Sequence, residues 1–387
     1  MYKRQVVIVL ITQVFALKRL YKIIALVLLV TIPEVILQAS STQNDIVVSF
    51  FILTSFYFAL KSIKEVKFYN FLFLGISIGL ATLTKGTAYI YLFPILLIYA
   101  IAILIKLYKT KNYAFLKYSI FSAVIFLSIN SGHYIRNYNL SNNILGIDKA
   151  ESRTYSNENM TPFLFLSNVI RNTGLHIGPY PINELSHGVI ENIHSIIGVD
   201  INDPKTTFGS TKYQSAANFP NHEDIASNPT HFLLILLSFV LVLGHIVKNK
   251  IKNKGVLYLA FIIFLQILVF CLYLKWQPWA TRLHTPLFML SVPLICYVMS
   301  LYSKYKKILY GLIPALLLYA LLIVLLNRSR PFISNSVTSD ISIADNRHKK
   351  YFANRLDAYD EYNSIIENMR KFNYSNVGLT LGEDHWE

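Results

Sequence analysis

The sequence predicts an all-α polytopic membrane protein, a bundle of about nine or ten transmembrane helices with a polar insert on one face and the start of a soluble α/β domain at the C-terminus. Three observations predict it. Apolar residues make up 54% of the chain and charged residues only 15%, a membrane composition rather than a soluble one. Apolar runs recur at close to the roughly 17–25 residues that cross a bilayer. A long polar stretch, residues 132–230, interrupts them once.

Taken in order, spans are expected near 20–38, 46–60, 69–84, 87–105, 116–131, 231–247, 256–274, 284–301 and 308–326. Several are short and must draw on their flanks. An earlier run, 6–17, is too short to span alone. No small-residue cleavage site follows it, so a signal peptide is disfavoured, and the run reads as a helix cut short at the start of the chain. The expected organisation is N-terminal spans at 1–131, an outer insert at 132–230, C-terminal spans at 231–327, and the start of an outer soluble domain at 328–387. In that last part, residues 348–372 place Phe352, Leu356, Tyr359, Ile366 and Met369 along one helical side. Residues 377–381 then read as a buried strand, and both ends of the chain look truncated.

The net charge of +15 is distributed as a topology signal. Lys18, Arg19 and Lys22 flank one connection, and Lys61, Lys64 and Lys67 the next alternate one. Lys106, Lys109, Lys111 and Lys117 follow, then Lys248, Lys250, Lys252 and Lys254, then Lys304, Lys306 and Lys307. These alternate with Lys-poor connections such as 39–45. The positive-inside rule makes the Lys-rich set cytoplasmic. Asp45, Lys85, the insert, the turn at 275–282 and the tail are then expected on the outer face of the cytoplasmic (inner) membrane, facing the periplasm or exterior. Short scattered Lys clusters fit anionic lipid contact better than nucleic acid, which is not expected as a partner. Cys271 and Cys296 fall in different spans and read as packing residues. Neither G-x-x-x-x-G-K-[ST] nor G-x-G-x-x-G occurs, so a nucleotide-cradling glycine loop is not supported.

The outer turns carry the chemistry. Asp45 opens the helix from Ile46, where a carboxylate serves as an N-cap or orients an acceptor or metal at the membrane surface. Glu34, after Pro33, is an ionisable residue at a depth that requires a bundle-facing position. One hairpin later, Gly75, Gly79 and Ala81 permit close helix packing. Lys85 then arrives at the outer interface, either snorkelling to headgroups or binding the phosphate of a lipid carrier.

The string Gln43-Asn44-Asp45 opening a span, and Gly79-Leu-Ala-Thr-Leu-Thr-Lys85-Gly-Thr one hairpin later, resembles the GT-C glycosyltransferases. The closest likeness is to the branch of protein O-mannosyltransferases and the lipid A aminoarabinose transferase. Gly132-His-Tyr-Ile-Arg136-Asn-Tyr and Lys275-Trp276-Gln277-Pro-Trp-Ala-Thr-Arg282-Leu resemble stretches of bacterial members. The resemblance implies sugar transfer from a polyprenyl-phosphate sugar to an acceptor outside the membrane, with Asp45 as the second acidic site of the family. It also implies a catalytic acid in a large loop after the first span. That loop has no counterpart here, so this piece alone is expected to be inactive.

Within the insert, His222, Glu223 and Asp224 precede a span and suit substrate contact, proton transfer or a divalent metal, although their spacing matches no standard metal signature. They equally suit a solvated loop end. Arg136 suits a headgroup or the carrier phosphate. Gly178-Pro-Tyr-Pro181 and Asp200-Ile-Asn-Asp-Pro204 are turn material, so short helices joined by turns are expected. Lys275, Trp276, Gln277 and Arg282 place cations, an amide and an indole at one edge, as a donor or carrier site needs; interfacial Trp is the plainer reading.

The expected function is therefore a glycosyltransferase that moves a sugar from a polyprenyl-phosphate donor to a lipid, glycan or protein acceptor. Asp45 is the expected catalytic carboxylate, and Lys85, Arg136 or Arg282 stabilises the leaving phosphate. No cofactor is required beyond a possible divalent metal. The alternative is a lipid-linked oligosaccharide flippase or polymerase, which should show charges deep in several spans and an inverted repeat; neither stands out.

Overall fold

The apolar runs fold into helices whose ends, more than their middles, depart from the sequence expectation. A computed structural model describes residues 2–146, 149–247, 253–334, 341–353, 355–374, 376 and 378. It divides the chain into two units, Met1–Val324 and Leu325–Glu387.

The first unit opens with α1 (Tyr2–Val14), α2 (Arg19–Val30) and α3 (Pro33–Gln38). The expected span at 20–38 is thus two helices. Pro33 disfavours a helical residue before it, so Ile32 is extended at φ −65°, ψ 119°, and Pro33 restarts the helix at its first position. The broken end is satisfied from elsewhere. His231 Nε2 lies 2.9 Å from the Leu28 carbonyl and 3.3 Å from Thr31 Oγ1. The α4 (Asp45–Lys64), α5 (Phe68–Thr84), α6 (Thr87–Thr110) and α7 (Ala114–Ser141) helices follow. Of these, α7 continues well past the expected end at 131, so the first part of the supposed insert is helix.

Close packing of α5 on α7 follows from small residues. A Cβ at Gly75 would stand 2.5 Å from the Ser122 carbonyl oxygen, and one at Gly79 would meet Ile129 at 2.9 Å. Ser122 Oγ donates to the Phe71 carbonyl across the same contact, and Asn130 Nδ2 donates to the Gly79 carbonyl at 3.1 Å.

The insert forms α8 (Lys149–Tyr155), α9 (Pro162–Gly174) and α10 (Ile182–Ile197) joined by turns, then a long irregular segment. Then come α11 (Pro229–Val247), α12 (Lys254–Tyr273), the short α13 (Ala280–Leu283), α14 (Thr285–Leu301) and α15 (Leu309–Leu325). The axis of the core is α14, buried at every position from Thr285 to Val298 and packed by α1, α2, α4, α11 and α12. Cys271 and Cys296 are free and buried, in α12 and α14. Among the described residues six helices are long and apolar enough to cross a membrane; Arg4–Val14, Phe68–Thr84 and Thr285–Leu301 are apolar but shorter. The chain is thus a multi-pass membrane protein.

The second unit contains α16 (Arg347–Tyr351) and α17 (Tyr359–Lys371), with a single 3-10 turn at Leu356–Ala358 between them. The continuous helix expected at 348–372 is therefore interrupted, with Phe352 packed on Tyr359 and Tyr362. The strand expected at 377–381, apart from residue 378, and the cluster Lys248, Lys250 and Lys252 lie outside the described residues. Among the described residues there are only isolated β-bridges, Ser156 with Leu274 and Thr207 with Trp276.

Candidate active site

The antiparallel pair α4 and α5 brings two of the sequence candidates together. At the end of α5 the backbone of Lys85 turns extended, φ −161° and ψ 139°, and Asn44 Nδ2 donates to the Thr84 carbonyl at 3.2 Å. That clamp sets the end of α5 beside the start of α4, where Lys85 Nζ meets Asp45 Oδ1 at 2.5 Å. The Asp45 side chain is 1% exposed and that of Lys85 20%. Asp45 does not cap its helix. Its Oδ1 is taken by Lys85, and its buried Oδ2 has no hydrogen-bond partner among the described residues. Burial pushes the Lys85 ammonium below its ordinary pKa, although Asp45 pulls in the opposite sense.

A second ion pair completes the cluster. Arg282, in α13, donates from Nη1 to Asp224 Oδ1 at 2.6 Å, and Gln43 Nε2 donates to the same oxygen at 3.1 Å. Thr281 Oγ1 reaches the Asp224 carbonyl at 3.1 Å. His222 Nδ1 accepts the Asp224 backbone N–H at 3.2 Å and lies 3.7 Å from its carboxylate. Both Asp224 and Arg282 are close enough to Lys85 to act on its charge. Gln43 ties the two halves, since it stands two residues before Asp45 and holds Asp224.

Glu34 extends the cluster inward. It is fully buried, its Oε1 accepts from Gln38 Nε2 at 2.8 Å, and its Oε2 has no partner among the described residues. Its backbone N–H donates to Asn228 Oδ1 at 3.3 Å. The Asn228 N–H in turn reaches His176 Nδ1 at 3.3 Å, and His176 Nε2 lies 3.0 Å from His284 Nδ1. Burial pushes His176 well below the ordinary histidine range, and the neighbouring His284 adds to the shift.

The remaining candidates of the 275–282 turn do different work. Lys275 Nζ is bound to Glu158 Oε1 at 2.6 Å and to the Pro204 carbonyl at 2.8 Å, and the bond holds the Glu158 carboxyl below its usual range. Trp276 has no exposed surface. Its backbone N–H donates to the Thr206 carbonyl at 2.8 Å, its carbonyl accepts from the Phe208 backbone N–H at 2.9 Å, and its ring packs on Tyr213 and under Arg171. An indole enclosed in this way presents no face to a sugar. Gln277 is buried too. This half of the turn fastens the insert to the bundle, leaving Arg282 to face the polar cluster. Arg136 is exposed on α7, against His133 Nδ1 at 3.1 Å. Glu223 is buried. Among the described residues no three His, Cys, Asp or Glu side chains are grouped to hold a metal ion.

Three residues of the insert position the site: Arg171, noted from sequence only as one of its charged residues, and Asn157 and Asn168, which were not singled out. Arg171 is fully buried in α9 and donates to the Ile201 and Thr206 carbonyls and to the Thr206 and Thr207 hydroxyls, at 2.7 to 3.2 Å. Burial lowers its pKa to about 10. Asn168, one turn earlier, donates to the last carbonyls of α12, Cys271 at 2.7 Å and Leu274 at 2.8 Å. Asn157 reaches the same helix end. The legible signal was the polar stripe Ser167, Asn168, Arg171 and Asn172 on one face of an otherwise apolar helix.

Comparison with known proteins bears on the N-terminal part. No curated protein and no solved structure matches the chain. Residues 5–143 match the family described as dolichyl-phosphate-mannose-protein mannosyltransferase, a stretch that holds Glu34, Asp45 and Lys85 and ends before Asp224 and Arg282. Over α1 to α7 the chain is therefore similar to a family of GT-C membrane glycosyltransferases.

Proposed function

We propose that the protein transfers a sugar from a polyprenyl-phosphate donor to a lipid, glycan or protein acceptor at the outer face of the cytoplasmic membrane. The observation that carries this reading is the buried Asp45–Lys85 pair beside the Asp224–Arg282 pair. Two cations and two carboxylates at one end of the bundle are the groups that phosphate departure and acceptor deprotonation require. The family match over residues 5–143 supports the donor class, and the alternation of Lys-rich and Lys-poor connections supports the outer face.

In the reaction, the acceptor O–H or N–H gives its proton to the Asp45 carboxylate, whose Oδ2 is uncommitted among the described residues. The acceptor heteroatom bonds to the anomeric carbon as the bond from that carbon to the phosphate oxygen breaks. The electron pair leaves with the lipid phosphate, where Lys85 and Arg282 stabilise it. Attack from the face opposite the phosphate inverts the anomeric centre.

The test is transfer of radiolabelled sugar from polyprenyl phosphate by the full-length gene product in membranes, with Asp45→Asn and Lys85→Ala compared. Loss of transfer in both supports the assignment. Undiminished transfer in both variants removes these residues from the mechanism. Translocation of a lipid-linked sugar without any transfer would point to a flippase.

A further inference from the structure

We propose that α10 lies in the plane of the membrane interface, with one face of the helix inserted among the lipids of the leaflet next to the active site. This rests on the bundle being membrane-spanning and not on the reaction proposed above.

The helix has three faces where a soluble helix has two. At 3.6 residues per turn, Asn183, Ile190 and His194 share one side, and all three are buried against the rest of the insert. Glu184, Glu191, Asn192 and Ser195 occupy the opposite side and are exposed, as expected of a surface in water. Between these two faces runs a third row, Ile182, Leu185, Val189, Ile193 and Ile196, within about 80° of arc. It is apolar and, apart from the half-buried Ile193, open. Ile182 is 52% exposed, Leu185 69%, Val189 57% and Ile196 83%. Nothing in the described part of the first unit covers it. An apolar row of five aliphatic residues at this spacing is too regular to be scattered surface leucine and isoleucine.

The place of α10 in the fold identifies what covers the row. The α9 helix packs on both α10 and α12. Asn157 and Asn168 hold the carbonyls at the C-terminal end of α12, at Cys271, Leu272 and Leu274. The α12 helix is long and apolar enough to cross a membrane, so the insert is anchored where a span leaves the hydrocarbon. Apolar side chains stand exposed on both packed helices, Leu272 and Tyr273 at the end of α12 and Phe163 and Leu166 on α9. Tyr180, 62% exposed just before α10, is the aromatic that membrane interfaces favour. The row carries no Lys or Arg, so insertion is driven by apolar burial and needs no anionic headgroup.

The experiment places single cysteines on the full-length protein reconstituted in phosphatidylcholine vesicles, at Leu185→Cys and Ile196→Cys on the open row and at Glu191→Cys and Ser195→Cys on the polar face. Each is labelled with an environment-sensitive fluorophore; Cys271 and Cys296 are buried and their background is read on the unsubstituted protein. The expected result is several-fold stronger quenching by nitroxide-bearing lipids than by aqueous iodide at 185 and 196, with the order reversed at 191 and 195. Equal access of iodide to 195 and 196 would overturn the proposal. So would protection of 185 and 196 from both quenchers, which would mean that protein covers the row. Sugar transfer does not enter this readout, so failure of the reaction and failure of the in-plane helix are separately visible.

Discussion

Removing both members of the Asp45–Lys85 pair should cost less than the two single removals added together, and the two single variants should differ. The Asp45 carboxylate is 1% exposed, and its only hydrogen bond among the described residues comes from Lys85. Lys85→Met leaves that carboxylate buried and uncompensated, for which the expected loss of stability is about 3–5 kcal/mol. Asp45→Asn keeps the shape, and Lys85 retains a side chain that is 20% exposed with Asp224 nearby to share its charge. Its loss should be smaller, about 1–3 kcal/mol. The double variant removes both charges, so its loss should fall short of the sum by roughly 2 kcal/mol or more. The assay is reversible unfolding of the detergent-solubilised protein followed by circular dichroism, with all four members of the cycle measured at one detergent concentration. Additivity of the two single losses to within about 0.5 kcal/mol would refute the reasoning, because residues in contact must couple.

Four further outcomes follow from the same structure. Gly75→Leu should separate α5 from α7, because even a Cβ there meets the Ser122 carbonyl at 2.5 Å; a loss of about 1–3 kcal/mol is expected, with Gly86→Leu, where nothing stands within 4 Å, as the control in the same melt. Arg171→Met should free the segment around Thr206 and Thr207 by leaving their buried carbonyl and hydroxyl groups short of a donor, at a cost of about 2–4 kcal/mol, read as faster proteolysis at 199–213. His176 is held neutral in the folded protein and is protonated in the unfolded chain below its ordinary value. Stability should therefore be level above that value and fall as pH drops below it, by up to about 1.4 kcal/mol per pH unit for one group, and His176→Asn should show the shallower slope. Asp224→Asn removes the carboxylate that now occupies Arg282, so the apparent KM for the polyprenyl-phosphate donor should fall, and a rise would count against Arg282 as a phosphate ligand.

How much of this was legible depended on which physical rule each residue obeyed. The apolar runs declared themselves because a span needs length and little else, and the placement of Asp45 and Lys85 at facing helix ends followed from that alone. Breaks and overruns were less visible. Pro33 marked the end of α2, yet the run of Ile, Val and Leu around it masked the signal; α7 ran on through Gly132 because nothing stops a helix there before Asn142 takes φ 54°. The ion-pair partners were out of reach, since Asp224 and Arg282 are far from Asp45 in sequence and only the packed bundle joins them. Trp276 misled for a related reason. A Trp beside Lys at an outer turn reads the same whether it faces a ligand or an interior, and it is the insert folding over it, through Thr206, Phe208 and Tyr213, that decides for the interior.

The charge pattern of the site has a consequence for the order of events. With no donor bound, Lys85 is neutralised by Asp45 and Arg282 by Asp224, so the cluster is electrically balanced and can persist half-buried. A lipid phosphate brings negative charge to that balance and competes with both carboxylates for the same two cations. To the extent that Lys85 turns to phosphate, the Asp45 carboxylate gives up its one hydrogen bond among the described residues and is free to take another. In the proposed reaction, donor binding would thus free the carboxylate that takes the acceptor's proton. The insert, fastened by Arg171, Asn168 and Lys275, carries Asp224 at its end and so supplies the carboxylate that the phosphate would displace from Arg282.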